Sequence, residues 1–150
     1  MAKTTKKTAL SQMQSAARLA RTELAARLLA HGFYAGQDQI MLALGEEDGQ
    51  TPGQLAAKLG VRPPTITKTI NRLQAQGFVG KGASDVDARV SHIFLTDAGR
   101  KAIQSVEKAV KKTEKLALKG LNKKDRRALT KLLSRVESNL AGREDDKTTD

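Results

Sequence analysis

Between residues 9 and 30, Leu10, Met13, Ala17, Leu24 and Leu28 recur at helical spacings, while Arg18, Arg21 and Arg27 fall on other faces. The pattern predicts one long amphipathic helix, broken near Gly32. From Tyr34 to about Gly45, Ile40, Met41 and Leu44 supply a second apolar face, and Glu46-Glu47-Asp48-Gly49 reads as a polar turn. The next start signal is complete. Thr51 suits the N-cap, Pro52 the first helical position, and Gln54 closes a capping box. That short helix runs through Leu55, Ala56 and Leu59 to Gly60, which stands where a left-handed C-terminal residue belongs. Pro63 and Pro64 open another helix that continues to about Gln76 and closes at Gly77, since their missing N–H groups have no intrahelical partner there.

After Gly77 the period changes from helical to extended. Phe78 and Val79 begin a strand, Lys81-Gly82-Ala83-Ser84-Asp85 reads as a polar turn, and Val90 to Leu95 is β-branched, aromatic and partly alternating. The tip of this hairpin is expected between Lys81 and Arg89. Thr96 caps a long helix carrying Ile103, Val106, Val110 and Ala117 on one face. Gly120-Leu121 breaks it, and Asn122, with Asp125 in the first turn, starts a last helix whose apolar face is Leu129, Leu132, Leu133, Val136 and Leu140.

The predicted fold is mainly α with a small two-stranded β wing, a winged helix-turn-helix module flanked by long dimerisation helices. Residues 9–141 form a single domain, with the DNA-binding module at 34–100 and the dimerisation helices at 9–31 and 100–141. Residues 1–8 and 142–150, polar and charged, are expected to be disordered. The middle module is too small to cover three long apolar faces, so a second copy of the chain is the expected cover.

Charge then narrows the partner. Lys plus Arg number 27 against 16 Asp plus Glu, a net charge of +11 with a pI near 10.1. That surplus favours polyanions, with nucleic acid ahead of an anionic membrane. The four aromatics, Phe33, Tyr34, Phe78 and Phe94, are too few for a single-strand stacking platform, which leaves duplex DNA in front. The absence of cysteine removes thiol redox sensing and thiolate metal sites. The start of the chain lacks a signal-peptide pattern and no apolar run is long enough to span a bilayer, so a cytoplasmic protein without membrane association is expected.

In the helix from Pro63 to Gln76, Ile66, Ile70 and Leu73 share one face. The opposite face holds Thr65, Lys68, Asn71 and Arg72, with Thr67 and Thr69 flanking. Arg offers a bidentate fork to guanine, Asn pairs with adenine, and Thr and Lys reach phosphates. The same pattern also describes a solvated helix face; the capped helix before it and the hairpin after it favour the DNA reading.

Leu55-Ala56-Ala57-Lys58-Leu59-Gly60-Val61, Pro64-Thr65-Ile66-Thr67-Lys68, Arg72-Leu73 and Gly77-Phe78-Val79 resemble, in order and spacing, the core of the MarR family of bacterial transcription regulators. Asp87-Ala88-Arg89 is similar to that family's Asp-x-Arg wing signature, and Leu95-Thr96-Asp97-Ala98-Gly99 to its Leu-Thr-x-x-Gly closing motif. The resemblance spans residues 40–100 and implies an all-α dimer whose helix 63–76 enters the major groove. It also implies that Arg89, held by Asp87, reaches the minor groove; a narrow groove attracts arginine, and a neighbouring carboxylate fixes its rotamer. Arg62 stands where the family commonly has a small capping hydroxyl, and is read as a phosphate contact. With Lys81 on the hairpin, the expected DNA-binding set is Arg62, Thr65, Thr67, Lys68, Asn71, Arg72, Lys81, Asp87 and Arg89.

No catalytic set, cofactor or metal site is expected. His31 and His92 lack a ligand pattern, Glu46-Glu47-Asp48 reads as a solvated turn, and Gly80-Lys81-Gly82 lacks the ending of a phosphate loop. Many relatives in the resembled family respond to phenolic or aromatic acids, which makes Arg18, Arg21, Phe33 and Tyr34 candidate effector contacts, against a reading in which the aromatics are packing and the arginines surface. The functional expectation is a repressor that binds a pseudo-palindromic operator as a homodimer and is released by such an effector. The alternatives are a non-specific nucleoid-type architectural protein, binding by charge alone, and a winged helix used only as a protein adaptor.

Overall fold

The computed structural model of the protein describes residues 6–83 and 89–142. Among these are α1 (Ala9–Leu29), α2 (Gln37–Glu46), α3 (Pro52–Leu59), α4 (Pro63–Ala75), β1 (Val79–Ala83), β2 (Ser91–Leu95), α5 (Asp97–Ala117) and α6 (Lys123–Ala141). The chain divides into two compact units, Met1–Thr113 and Glu114–Asp150.

The first unit holds the core. Leu28, Phe33, Ile40, Met41, Leu44, Leu55, Ile66, Ile70, Leu73, Val79, Ile93 and Val106 are all buried. The helix starts follow their side chains. Thr51 Oγ1 accepts from the Gln54 amide at 3.1 Å and Gln54 Oε1 accepts from the Thr51 amide at 2.9 Å. Gly60 takes φ +63°, a left-handed conformation that a Cβ would strain. Arg62 precedes α4 without a side-chain capping bond, and prolines occupy its first positions. At α2 the N-cap is Gly36, which has no side chain to offer. The Asp38 carboxylate lies in the first turn, where the helix dipole favours negative charge and hydrogen bonding to the backbone N–H groups of residues 36, 38 and 39 favours its ionised form. Burial nevertheless pushes the Asp38 carboxyl above the usual aspartate value, and those hydrogen bonds offset only part of the shift.

The hairpin departs from its expected bounds. Lys81, Gly82 and Ala83 belong to β1, not to a turn, because antiparallel pairing continues through Lys81↔Ile93 and Gly82↔His92 to Ala83↔Ser91. The tip at 84–88 lies outside the described residues, as do residues 1–5 of the expected tail 1–8 and residues 143–150 of the expected tail 142–150; Thr8, within the first of these, instead caps α1. The sheet also extends sideways onto the α2–α3 turn. Ile93 N donates to Gln50 O at 2.8 Å, and Gly49 N to Ile93 O at 2.9 Å. Asp48 Oδ1 accepts from Leu95 N at 2.9 Å, and His92 Nδ1 lies 2.6 Å from Gly49 O. The acidic stretch read as a solvated turn therefore anchors the root of the wing.

The Leu95–Gly99 motif has a packing cause. Thr96 Oγ1 accepts from the Gly99 amide at 3.0 Å, capping α5, and donates to Gly77 O at 2.6 Å. A Cβ on Gly99 would lie 2.1 Å from the Phe78 carbonyl oxygen, so only glycine lets α5 start this close to β1.

The second unit contains the end of α5, the Gly120 turn and α6. Asn122 and Asp125 close a capping box at the start of α6. No residue of α6 is buried, and Leu129, Leu132, Leu133 and Leu140 are exposed.

Candidate nucleic-acid interface

α4 is amphipathic in the expected sense. Ile66, Ile70 and Leu73 are buried, whereas Arg62, Thr65, Thr67, Lys68, Asn71 and Arg72 are exposed. Thr69 is only half-exposed, and its hydroxyl donates to Thr65 O at 2.9 Å. Thr67 Oγ1 likewise donates to Pro63 O at 3.1 Å. Both hydroxyl protons are thus committed to the helix's own carbonyls, and a phosphate oxygen accepts but does not donate. Lys68, Asn71 and Arg72 carry the stronger donor chemistry of this face.

The two flanks of α4 are held differently. On the wing side, Lys81 Nζ donates to Asn71 Oδ1 at 3.1 Å. On the other side, the Arg72 guanidinium carbon stands over the Tyr34 ring, 4.2 Å from its centroid. Just past α4, Gln76 donates to Gly32 O at 3.0 Å and accepts from Gln37 Nε2 at 2.7 Å. Phe33, buried in the core, stacks on Phe78 with centroids 4.9 Å apart. The α1–α2 junction and the end of α4 are therefore one packed block. The contacts that build it were not visible in any helical period, because every one of them joins residues distant in sequence.

The exposed cations of the first unit at this interface are Arg62, Lys68, Arg72, Lys81 and Arg89. Arg89 lies two residues before β2 and takes part in an interaction of its own. Asp87, its expected partner, is outside the described residues. Of the four expected effector contacts, the structure does not bring the set together. Phe33 is 1 % exposed and presents no wall to a ligand, correcting that expectation; a ring stacked on Phe78 inside the core is packing. Tyr34 faces Arg72, and Arg18 lies on an exposed part of α1. Arg21 alone lines a cavity of about 240 Å³, with Leu24, Ala25, Leu28, Ala35, Gly36, Asp38 and Gln39. Among the described residues no group of acids, histidines or cysteines is arranged to hold a metal ion. None of the described helices is long and apolar enough to cross a membrane.

Residues 37–90 match the model of the MarR family. Solved structures agree along most of the chain. A probable transcriptional regulator from Pseudomonas aeruginosa is 25 % identical, with a TM-score of 0.72, covering 83 % of this chain and 96 % of its own. The transcriptional repressor CouR, bound to a 23-mer DNA duplex, is 21 % identical with a TM-score of 0.80, covering 87 % and 92 %. A mutant MarR from E. coli, complexed with operator DNA, is 21 % identical with a TM-score of 0.77, covering 83 % and 90 %. The match takes in α2, α3, α4 and β1, so residues 37–90 are similar to the MarR family, and the chain shares the winged helix-turn-helix fold of these solved regulators.

Proposed function

We propose that the protein is a transcriptional repressor that binds a pseudo-palindromic operator as a homodimer and leaves it on binding a small aromatic or phenolic acid. One observation carries the DNA reading: α4 turns Lys68, Asn71 and Arg72 outward over a buried Ile66–Ile70–Leu73 seam, with a wing lysine bonded to its flank. That is the donor set of base-edge and phosphate recognition on a helix of major-groove size. The DNA-bound relatives lend it support. In this reading Arg62 and Lys68 contact phosphates, Asn71 and Arg72 read base edges, and Arg89 reaches the minor groove.

Dimerisation rests on unpartnered leucines. Leu10, Leu19 and Leu29 of α1 are each close to 60 % exposed, and α6 leaves four more uncovered. Burying apolar surface is worth about 25 cal/mol per Å², so a second copy is a strong candidate for their cover. Effector release rests on less: the cavity beside Arg21, whose guanidinium offers a partner for a carboxylate or phenolate. It suits a single-ring acid, and thermal melting with a panel of such acids tests it.

The decisive experiment is selection of duplexes from a random pool by the full chain. The expected product is an inverted repeat with half-site centres about 10 base pairs apart. Retention independent of sequence would favour the architectural reading, and no retention at physiological salt the adaptor reading.

A further inference from the structure

We propose that Tyr34 is a positioning residue for DNA recognition, its ring serving as the platform that holds the Arg72 guanidinium ready for the duplex. The inference rests on the reading of Arg72 as a DNA contact, and adds a residue outside α4 to the recognition machinery. Tyr34 lies in the junction between α1 and α2, 38 residues before its partner, and is 46 % exposed, so one face of the ring is free of the core.

The platform is itself fixed. Tyr34 N donates to Gln37 Oε1 at 2.9 Å, while Gln37 Nε2 donates to Gln76 Oε1 at 2.7 Å. Gln76 stands one helical turn beyond Arg72, and its amide nitrogen returns to Gly32 O at 3.0 Å. Gln37 is fully buried, and Phe33, next to Tyr34, is locked against Phe78. The ring therefore keeps its place relative to α4 through two independent ties, one polar and one apolar.

A guanidinium stacked on a ring keeps its N–H donors, because they lie in its own plane and not toward the ring face. Arginine carries a large rotamer entropy that a contact to DNA must otherwise remove. Holding the side chain on Tyr34 removes part of that freedom beforehand, and leaves the fork available to a phosphate or a guanine edge. Arg72 belongs to the exposed face of α4 that also carries Lys68 and Asn71, and its guanidinium is the group of that face found over the Tyr34 ring.

The test measures affinity of the full chain for the duplex enriched from a random pool, in a cycle of Tyr34→Leu, Arg72→Ala and the double variant, with Tyr34→Phe as the conservative control. A surface cation–π pair implies that Tyr34→Leu weakens binding about two- to fivefold. Tyr34→Phe, which keeps the ring face, is expected to bind like the parent, and Tyr34→Leu to add nothing once Arg72 is gone. Because Tyr34 is the only tyrosine, its labelled ring gives a single set of NMR signals, which should move in Arg72→Ala without loss of the thermal transition. If Arg72→Ala binds normally, the reading of Arg72 as a DNA contact fails and the proposal with it. If Arg72→Ala weakens binding while Tyr34→Leu matches the parent, or the two losses simply add, Tyr34 has no positioning role and only the present proposal falls.

Discussion

Lys81 Nζ donates to Asn71 Oδ1 at 3.1 Å, so the first wing strand touches α4 at the side chain whose amide chemistry suits adenine. With its oxygen engaged by an ammonium, the Asn71 amide is oriented with its nitrogen available. Asn71→Ala is expected to cost about 1–3 kcal/mol of operator affinity and to relax preference at one position per half-site. Lys81→Met should reduce the slope of log affinity against log salt by about one phosphate contact. Titrations at several salt concentrations, on the selected and on scrambled duplexes, separate the two.

Arg89→Ala should lower operator affinity while leaving helix content and oligomeric state intact, since Arg89 lies at the exposed approach to β2. Unchanged affinity on a duplex with an A·T-rich flank would remove the wing from recognition.

Gly99→Ala tests the closing motif. Its Cβ would meet the Phe78 carbonyl oxygen at 2.1 Å, and a backbone atom yields only if α5 moves away from β1. Overpacking of this kind costs about 1–3 kcal/mol, to be read as a lower urea midpoint. An unchanged midpoint would show that the start of α5 shifts freely.

Asp38 gives the fold a pH dependence of known sign. Its carboxyl is raised by burial, so between the ordinary aspartate value and the raised one the native state binds more protons than the unfolded chain. Its contribution to stability therefore falls as pH rises through that window. Arg21 is the other charged residue that lines the cavity beside Asp38. Asp38→Asn should flatten this slope in urea unfolding as pH rises from the ordinary aspartate value; parallel slopes for the two proteins would contradict it.

The dimer is tested by sedimentation. The full chain is expected to be dimeric at micromolar concentration, and a truncation ending at Gly120, which removes the exposed leucines of α6, to be monomeric and to lose most of its DNA affinity.

Sequence alone determined what is encoded locally. The caps at Thr51, Thr96 and Asn122, the proline start of α4 and the Ile66–Ile70–Leu73 stripe each lie within a turn or two of the structure they specify. Such signals set the order of elements and put Lys68, Asn71 and Arg72 on one exposed face. Tertiary structure decided the rest, because its partners are joined across tens of residues. The extent of β1 depended on pairing with β2, which drew Lys81 out of the expected turn. Asp48, read as solvated, became the acceptor for Leu95 only when the wing packed against the α2–α3 turn. Phe33 and Tyr34 are adjacent in sequence and chemically alike, yet one stacks within the core on Phe78 and the other lies under Arg72. A local pattern assigns residues to a face; which neighbour occupies that face is set by the free energy of packing the whole chain.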